Sequence, residues 1–297
     1  MSYLPFSPDP RPLGKSGISV FPVAWGMWRF AGDDVAAARA KLEAALEAGV
    51  TLFDTADIYG PDNGEPFGAA EALLGRVFAE SLGLRDRMVL ATKGGIVMGT
   101  PYDSSAAYLE QAIDASLARL GVERVELWQI HRPDILTHPH EVARALEKAH
   151  AAGKIAAVGV SNFTTWQTAA LAEALRVPIA STQPEFSALA LDPIRSGLLD
   201  QAMMLDLAVL AWSPLAGGRL AEPTEVGTLL DAKAEEAGVS RSATALSWVM
   251  AHPARPIPIV GTQRPERIAE IPQALVPRWT RAEWYAVLQA SMGERLP

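Results

Sequence analysis

Short apolar runs alternate with Ala/Leu-rich stretches along the whole chain, and the two follow different periods. Runs near 20–26, 50–54, 88–93, 125–131, 155–160, 179–183, 207–212 and 256–260 have the length of strands, and IAAVGV and LAVLAW are apolar on both faces. Parallel strands covered by helices on the outside read in this way. The stretches DVAAARAKLEAALEAG, FGAAEALLGRVFAESLG, SAAYLEQAIDASLARLG, HEVARALEKAHAAGK, TWQTAALAEALR, PIRSGLLDQAMML and SRSATALSWVMAHP read as the helices between them. Gly49, Gly83, Gly121 and Gly153 are expected to close the first four, where a left-handed residue ends a helix. Eight strand–helix units without a long linker, repeat or low-complexity segment predict an α/β fold of the (β/α)8 TIM-barrel type rather than an open doubly wound sheet. The barrel is expected to be a single domain over residues 1–297, and VPRWTRAEWYAVLQASMGERLP to add a C-terminal extra helix.

Composition supports that reading and narrows the chemistry. Hydrophobic residues make up 49% and charged residues 20% of the 297, enough for a large core and unlike a disordered chain. A net charge of −8 argues against a general nucleic-acid or anionic-membrane binder, so any polyanionic ligand must be met by a local patch. The absence of cysteine excludes disulfides, thiol catalysis and cysteine-ligated metals, and no metal site is expected. The N-terminal MSYLPFSPDPRPLGKSG has four prolines and no apolar core of a signal peptide. With no apolar run near the roughly 18 residues of a membrane span, a cytoplasmic protein is expected. Its oligomeric state is left open.

Three successive apolar segments, GVTLFD-TADIYG, RMVLATKGG and RVELWQIHRPD, end on ionisable groups: Asp54 with Tyr59 beyond it, Lys93, and His131. A charge near a dry strand end must be paired or shift its ionisation. Taken singly, a strand-end Asp is as readily a helix cap, and a lone Tyr or His a packing residue. On adjacent staves of a barrel, whose chemistry sits at the strand C-termini, the four side chains can converge. Lys93 stands out because the chain has only six lysines and this one follows MVLAT. Asp54 is expected to pair with Lys93, and the Lys93 ammonium to favour the phenolate of Tyr59 and lower its pKa. Tyr59 would then exchange a proton with a carbonyl or alcohol oxygen that His131 also binds.

The residues FDTADIYG (53–60), ATKGG (91–95), IHRPD (130–134), GKIAAVGVSNF (153–163), AWSPLAGGRL (211–220) and PIVGTQRPERIAEI (258–271) resemble the aldo-keto reductase superfamily, closest to a bacterial oxidoreductase branch. The resemblance spans nearly the whole chain in the right order. It implies a barrel that binds NADPH without a Rossmann domain and reduces a small-molecule aldehyde or ketone. Asp54, Tyr59, Lys93 and His131 match the catalytic tetrad. Ser161, Asn162 and Gln183 match the residues that hold the nicotinamide carboxamide; on their own, Ser161 and Asn162 read equally well as a cap of the following helix. Trp212 stands where the family commonly has Tyr or Phe stacked on the nicotinamide. Ser213, Pro214, Leu215, Gly217 and Arg219 match the loop around the pyrophosphate. Gly261, Thr262, Gln263 and Arg267 match the segment at the adenosine 2′-phosphate, with Glu270 towards the adenine and Ile271 where the pattern often has Asn. Trp28, Ile96 and Phe163 follow strand ends and would form an apolar substrate wall with Arg132 at its rim, favouring an apolar or aromatic carbonyl over a small charged sugar.

Two other classes remain open from the residues. One is a cofactor-binding redox sensor with little turnover that acts through a protein partner. The other is an isomerase or aldolase using Lys93 as a Schiff-base amine, against which a paired Asp54 would count.

Overall fold

The computed structural model describes residues 2–296 and shows eight parallel strands closed into a barrel. The strands are β1 (Ala24–Gly26), β2 (Leu52–Asp54), β3 (Val89–Gly94), β4 (Val125–Ile130), β5 (Ile155–Ser161), β6 (Ile179–Gln183), β7 (Ala208–Ala211) and β8 (Ile257–Val260). Each pairs with the next in the chain, and β8 closes on β1 through Ile259 opposite Ala24 and Val260 opposite Trp25. Helices α1 (Val35–Glu47), α2 (Ala69–Glu80), α3 (Ala106–Leu120), α4 (Pro139–Ala151), α5 (Thr165–Ala174) and α6 (Leu198–Leu205) follow the first six strands. Between β7 and β8 come two helices, α7 (Glu225–Ala237) and α8 (Arg241–Met250). A short α9 (Pro265–Ala269) follows β8, and α10 (Arg281–Met292) is the expected extra helix. Among the described residues no helix is long and apolar enough to cross a membrane.

Parity along the strands divides the core. Outward positions such as Phe53, Leu90, Trp128, Val158 and Val209 join the helices in the main apolar cluster. Inward positions Leu52, Ala91, Leu127, Ala157, Leu210, Ile257 and Ile259 form a separate cluster inside the barrel, together with Leu13 and Val20. Those last two belong to a small antiparallel hairpin, Arg11–Pro12 with Ser19–Val20, that covers the N-terminal end of the barrel. The run expected near 20–26 is thus two elements: a hairpin strand and β1.

Two further sequence expectations need correction. Helix α7 lies in TEVGTLLDAKAEEAG, a stretch the apolar pattern did not mark. Gly83 is left-handed (φ 80°) but does not close α2, which stops at Glu80 with Ser81 as its cap. Gly49, Gly121 and Gly153 do take left-handed conformations at the ends of α1, α3 and α4.

Candidate active site at the C-terminal end of the barrel

Two residues above the dry inner layer the same strands turn polar. Asp54 ends β2, Lys93 lies in β3 and Gln129 in β4, and all three are buried. Lys93 Nζ donates to Asp54 Oδ2 at 2.6 Å and to the Thr55 carbonyl oxygen at 2.8 Å. The second carboxylate oxygen, Oδ1, accepts from Gln183 Nε2 at 3.0 Å and Gln129 Nε2 at 3.3 Å. Gln129 Oε1 in turn accepts from Ser181 Oγ at 3.2 Å. A side chain on Gly159 would collide with Ser181 and Gln129, so β5 leaves room for the network by having none. A buried ion pair is stable only with such additional hydrogen bonds.

Tyr59 lies in the loop after β2, where its backbone N–H donates to the Ala56 carbonyl. Lys93 Nζ is 5.0 Å from the centre of its ring, and the His131 ring approaches edge-on with centroids 5.9 Å apart. The four residues expected to converge therefore do. Burial is the largest influence on the Tyr59 phenol and raises its pKa; the Lys93 ammonium pulls it down, less strongly. The expected net lowering is corrected: desolvation exceeds the attraction of one ammonium already shared with Asp54. For Lys93 burial opposes the charge, but Asp54 and Tyr59 outweigh it and hold the amine protonated. Burial, with Lys93 and Arg132 beside it, pushes His131 well below its ordinary range, so its imidazole is neutral. Among the described residues His131 Nδ1 has no hydrogen-bond partner.

Asp57, unmarked by the sequence reading, is 1% exposed beneath this loop. Burial, then the neighbouring Glu71, pushes its carboxyl up to about 8. Glu71 is itself held by Arg119 Nε at 2.7 Å. The neutral carboxyl of Asp57 is thereby favoured near neutral pH. Gln129 was also missed. Its signal was available, since it shares the inward parity of Leu127 in VELWQI.

Ser161 ends β5 and Asn162 follows it, but neither caps α5. Thr164 does, in a reciprocal capping box with Gln167. Ser161 Oγ donates to the Gln183 carbonyl at 3.0 Å, and Asn162 takes a left-handed φ of 60°. Gln183 meets this pair through its backbone, while its side chain is bound to Asp54. Trp212 follows β7, with its indole on Asn162 and the Arg132 guanidinium 6.0 Å from its ring. Beyond it, Ser213 (φ 48°), Gly217 (φ 67°) and Gly218 (φ 101°) are left-handed, in a loop with Pro214 buried and Arg219 exposed. After β8, Trp25 Nε1 donates to the Thr262 carbonyl at 2.7 Å and Gln263 Nε2 to the Gly26 carbonyl at 3.3 Å, which ties the Gly261–Gln263 segment to β1. Arg267 and Glu270 are exposed at the end of the short α9. Trp28 is 44% exposed at the mouth. Its indole donates to Asp62 Oδ2 at 2.9 Å, and its carbonyl accepts from Asn63 Nδ2 at 2.6 Å. Ile96 and Phe163 are half-buried, Phe163 against the main core. The residues expected to form an apolar wall therefore carry a polar edge, because Trp28 brings a carboxylate and an amide with it.

The Aldo/keto reductase family model matches residues 22–290. The chain belongs to this family. It is an oxidoreductase that acts on carbonyl compounds, in a family that uses nicotinamide cofactors. The chain is 57% identical to a 6-dehydroglucose reductase of Novosphingobium aromaticivorans over the whole of both chains. It is 36% identical to a 6-dehydroglucose reductase of Agrobacterium fabrum, covering 92% of this chain and 95% of that one. Among solved structures it resembles the glycerol dehydrogenase of Gluconobacter oxydans, with a TM-score of 0.83, 27% identity and 98% of each chain covered. A thermostable aldo-keto reductase crystallised with the inhibitor epalrestat shares the fold, with a TM-score of 0.82 at 23% identity over 95% of this chain and 99% of that one.

Proposed function

We propose that this protein is an NADPH-dependent reductase of a neutral polyhydroxylated aldehyde of the 6-dehydroglucose type. The observation that carries the reading is the buried Lys93–Asp54 pair beneath the Tyr59 ring, with a neutral His131 edge-on to it. Tyr59, its pKa raised by burial, rests protonated and gives its proton to the substrate oxygen. The phenolate left behind faces the Lys93 ammonium, which Asp54 holds in place, so charge is stabilised only as it develops. Neutral His131 orients the carbonyl by hydrogen bonding. The same contacts count against Lys93 as a Schiff-base nucleophile, because a protonated amine has no lone pair to attack with.

The residues around the mouth suit a dinucleotide. Ser161, Asn162 and Gln183 would hold the carboxamide, Trp212 the ring face, and the left-handed glycine loop with Arg219 the pyrophosphate. Thr262, Gln263 and Arg267 would hold the 2′-phosphate, and Glu270 the adenine. When bound, the cofactor supplies a hydride to the carbonyl carbon. The identity to 6-dehydroglucose reductases and the polar edge of Trp28 support a sugar aldehyde, whose C–H face suits an indole and whose hydroxyls suit Asp62, Asn63 and Arg132.

Loss of NADPH absorbance on adding 6-dehydroglucose tests the reading, with aliphatic and aromatic aldehydes for comparison. Tyr59→Phe keeps the ring and removes the proton, so turnover should fall by about 10²–10⁴-fold with NADPH affinity unchanged. Near wild-type turnover in that variant would remove Tyr59 from the reaction. A wild type that binds NADPH and turns over no carbonyl would favour a redox sensor.

A further inference from the structure

Trp212, Asn162 and His131 stand at the ends of three strands, β7, β5 and β4, and one amide ties them together. Trp212 Nε1 donates to Asn162 Oδ1 at 3.0 Å. The other end of the amide, Nδ2, donates to the His131 carbonyl oxygen at 3.2 Å and to Ser161 Oγ at 2.8 Å. The Asn162 backbone N–H donates to the Gln183 carbonyl of β6 at 3.1 Å. Four adjacent strand ends thus meet on one residue, held in a left-handed conformation that few residues other than glycine and asparagine take.

The chemistry of the partners fixes which way this amide points. Turned over, Nδ2 would face the indole N–H, and Oδ1 would face a carbonyl oxygen that can only accept. Both Nδ2 protons and one Oδ1 lone pair are used within the protein. Ser161 Oγ has also spent its proton, on the Gln183 carbonyl. What Asn162 and Ser161 have left to offer a ligand is acceptors alone. Phenylalanine at 212 has no donor, and tyrosine carries its donor at the far end of the ring rather than on this edge.

We propose that Trp212 is a positioning residue whose indole N–H locks the Asn162 amide, so that Asn162 and Ser161 present two acceptors to the carboxamide NH2 of the nicotinamide and the end of β4 carrying His131 is held to the same point. The proposal rests on the nicotinamide reading given above. It assigns Trp212 a duty beyond stacking, and one that depends on a single N–H.

The test is calorimetric binding of NADP+ and of its 3-acetylpyridine analogue, in which a methyl group replaces the carboxamide NH2. Wild type should prefer NADP+ by about tenfold, the worth of the hydrogen bonds the methyl group cannot make. Trp212→Phe keeps an aromatic face but frees the amide to turn, so the preference should shrink towards unity; Trp212→Tyr carries the same expectation and fills more of the space. In a double-mutant cycle, Trp212→Phe added to Asn162→Ala should weaken NADP+ no further than Asn162→Ala alone, because the two act through one link. Retention of the tenfold preference in both Trp212 variants, or additive losses in the cycle, overturns the proposal and leaves the cofactor assignment intact. Failure of wild type to bind NADP+ at all overturns the assignment on which it rests.

Discussion

Inside the barrel two layers of side chains lie two residues apart on the same strands and obey opposite rules. Leu52, Ala91 and Leu127 belong to an apolar layer that the N-terminal hairpin closes with Leu13 and Val20. Asp54, Lys93 and Gln129 belong to a layer in which every group depends on another. The lower layer gains stability from each buried methylene independently, about 0.8 kcal/mol apiece. The upper layer gains nothing until it is complete, because a buried charge without its partner costs more than the pair returns. One period-2 strand pattern thus carries a scaffold on one level and a charged site on the next.

The largest effect should come from breaking the upper layer on one side only. Lys93→Met removes the ammonium and strands Asp54, which is 2% exposed. We expect loss of carbonyl reduction and a fall of about 3–5 kcal/mol in unfolding free energy by denaturant titration. Adding Asp54→Asn to that variant should restore much of the stability and none of the activity. A single mutant as stable as wild type would show that the two layers do not differ in kind.

In the lower layer the expected outcome is reversed. Leu127, fully buried two residues below Gln129, has no polar partner to strand. Leu127→Ala should cost about 2–5 kcal/mol of stability through lost burial and a cavity. Turnover by the folded enzyme should stay near wild type, measured well below the lowered melting temperature. A fall in turnover comparable to that of Tyr59→Phe would mean that the scaffold layer couples to the site.

The same contrast explains what the sequence made legible. The strand ends of the upper layer were readable because an ionisable group closing an apolar run is costly and therefore conspicuous; Asp54, Lys93 and His131 all have that form. The net direction of the Tyr59 shift was not readable, since the ammonium beside it is a local fact but desolvation depends on everything folded around the ring. The family resemblance marked Gln183 for the cofactor, yet the partner of its side chain, Asp54, lies 129 residues away and depends on the stagger between strands. Helix α7 escaped because its inward face includes a lysine, Lys233, buried between Glu236 and Glu283 and so paired rather than apolar. The N-terminal hairpin escaped because strands of two residues carry no period at all.

The smallest effect tests the rim, where neither rule holds because solvent screens both. NADPH differs from NADH by a phosphate carrying up to two negative charges, and a chain of net charge −8 disfavours it unless a local cation compensates. Arg267 is exposed, and among the described residues no carboxylate forms an ion pair with it, so its guanidinium can meet a 2′-phosphate. A charge-assisted contact is worth about 1.5–3 kcal/mol, and exposure places this one towards the lower value. Arg267→Ala should therefore weaken NADPH by roughly tenfold and leave NADH unchanged, with stability and NADH-supported turnover intact. A preference for NADPH carried by this contact should also shrink as ionic strength rises, unlike the Lys93–Asp54 pair, which is shielded from salt by burial. Equal losses for both cofactors would remove Arg267 from the phosphate site while leaving the chemistry of the upper layer untouched.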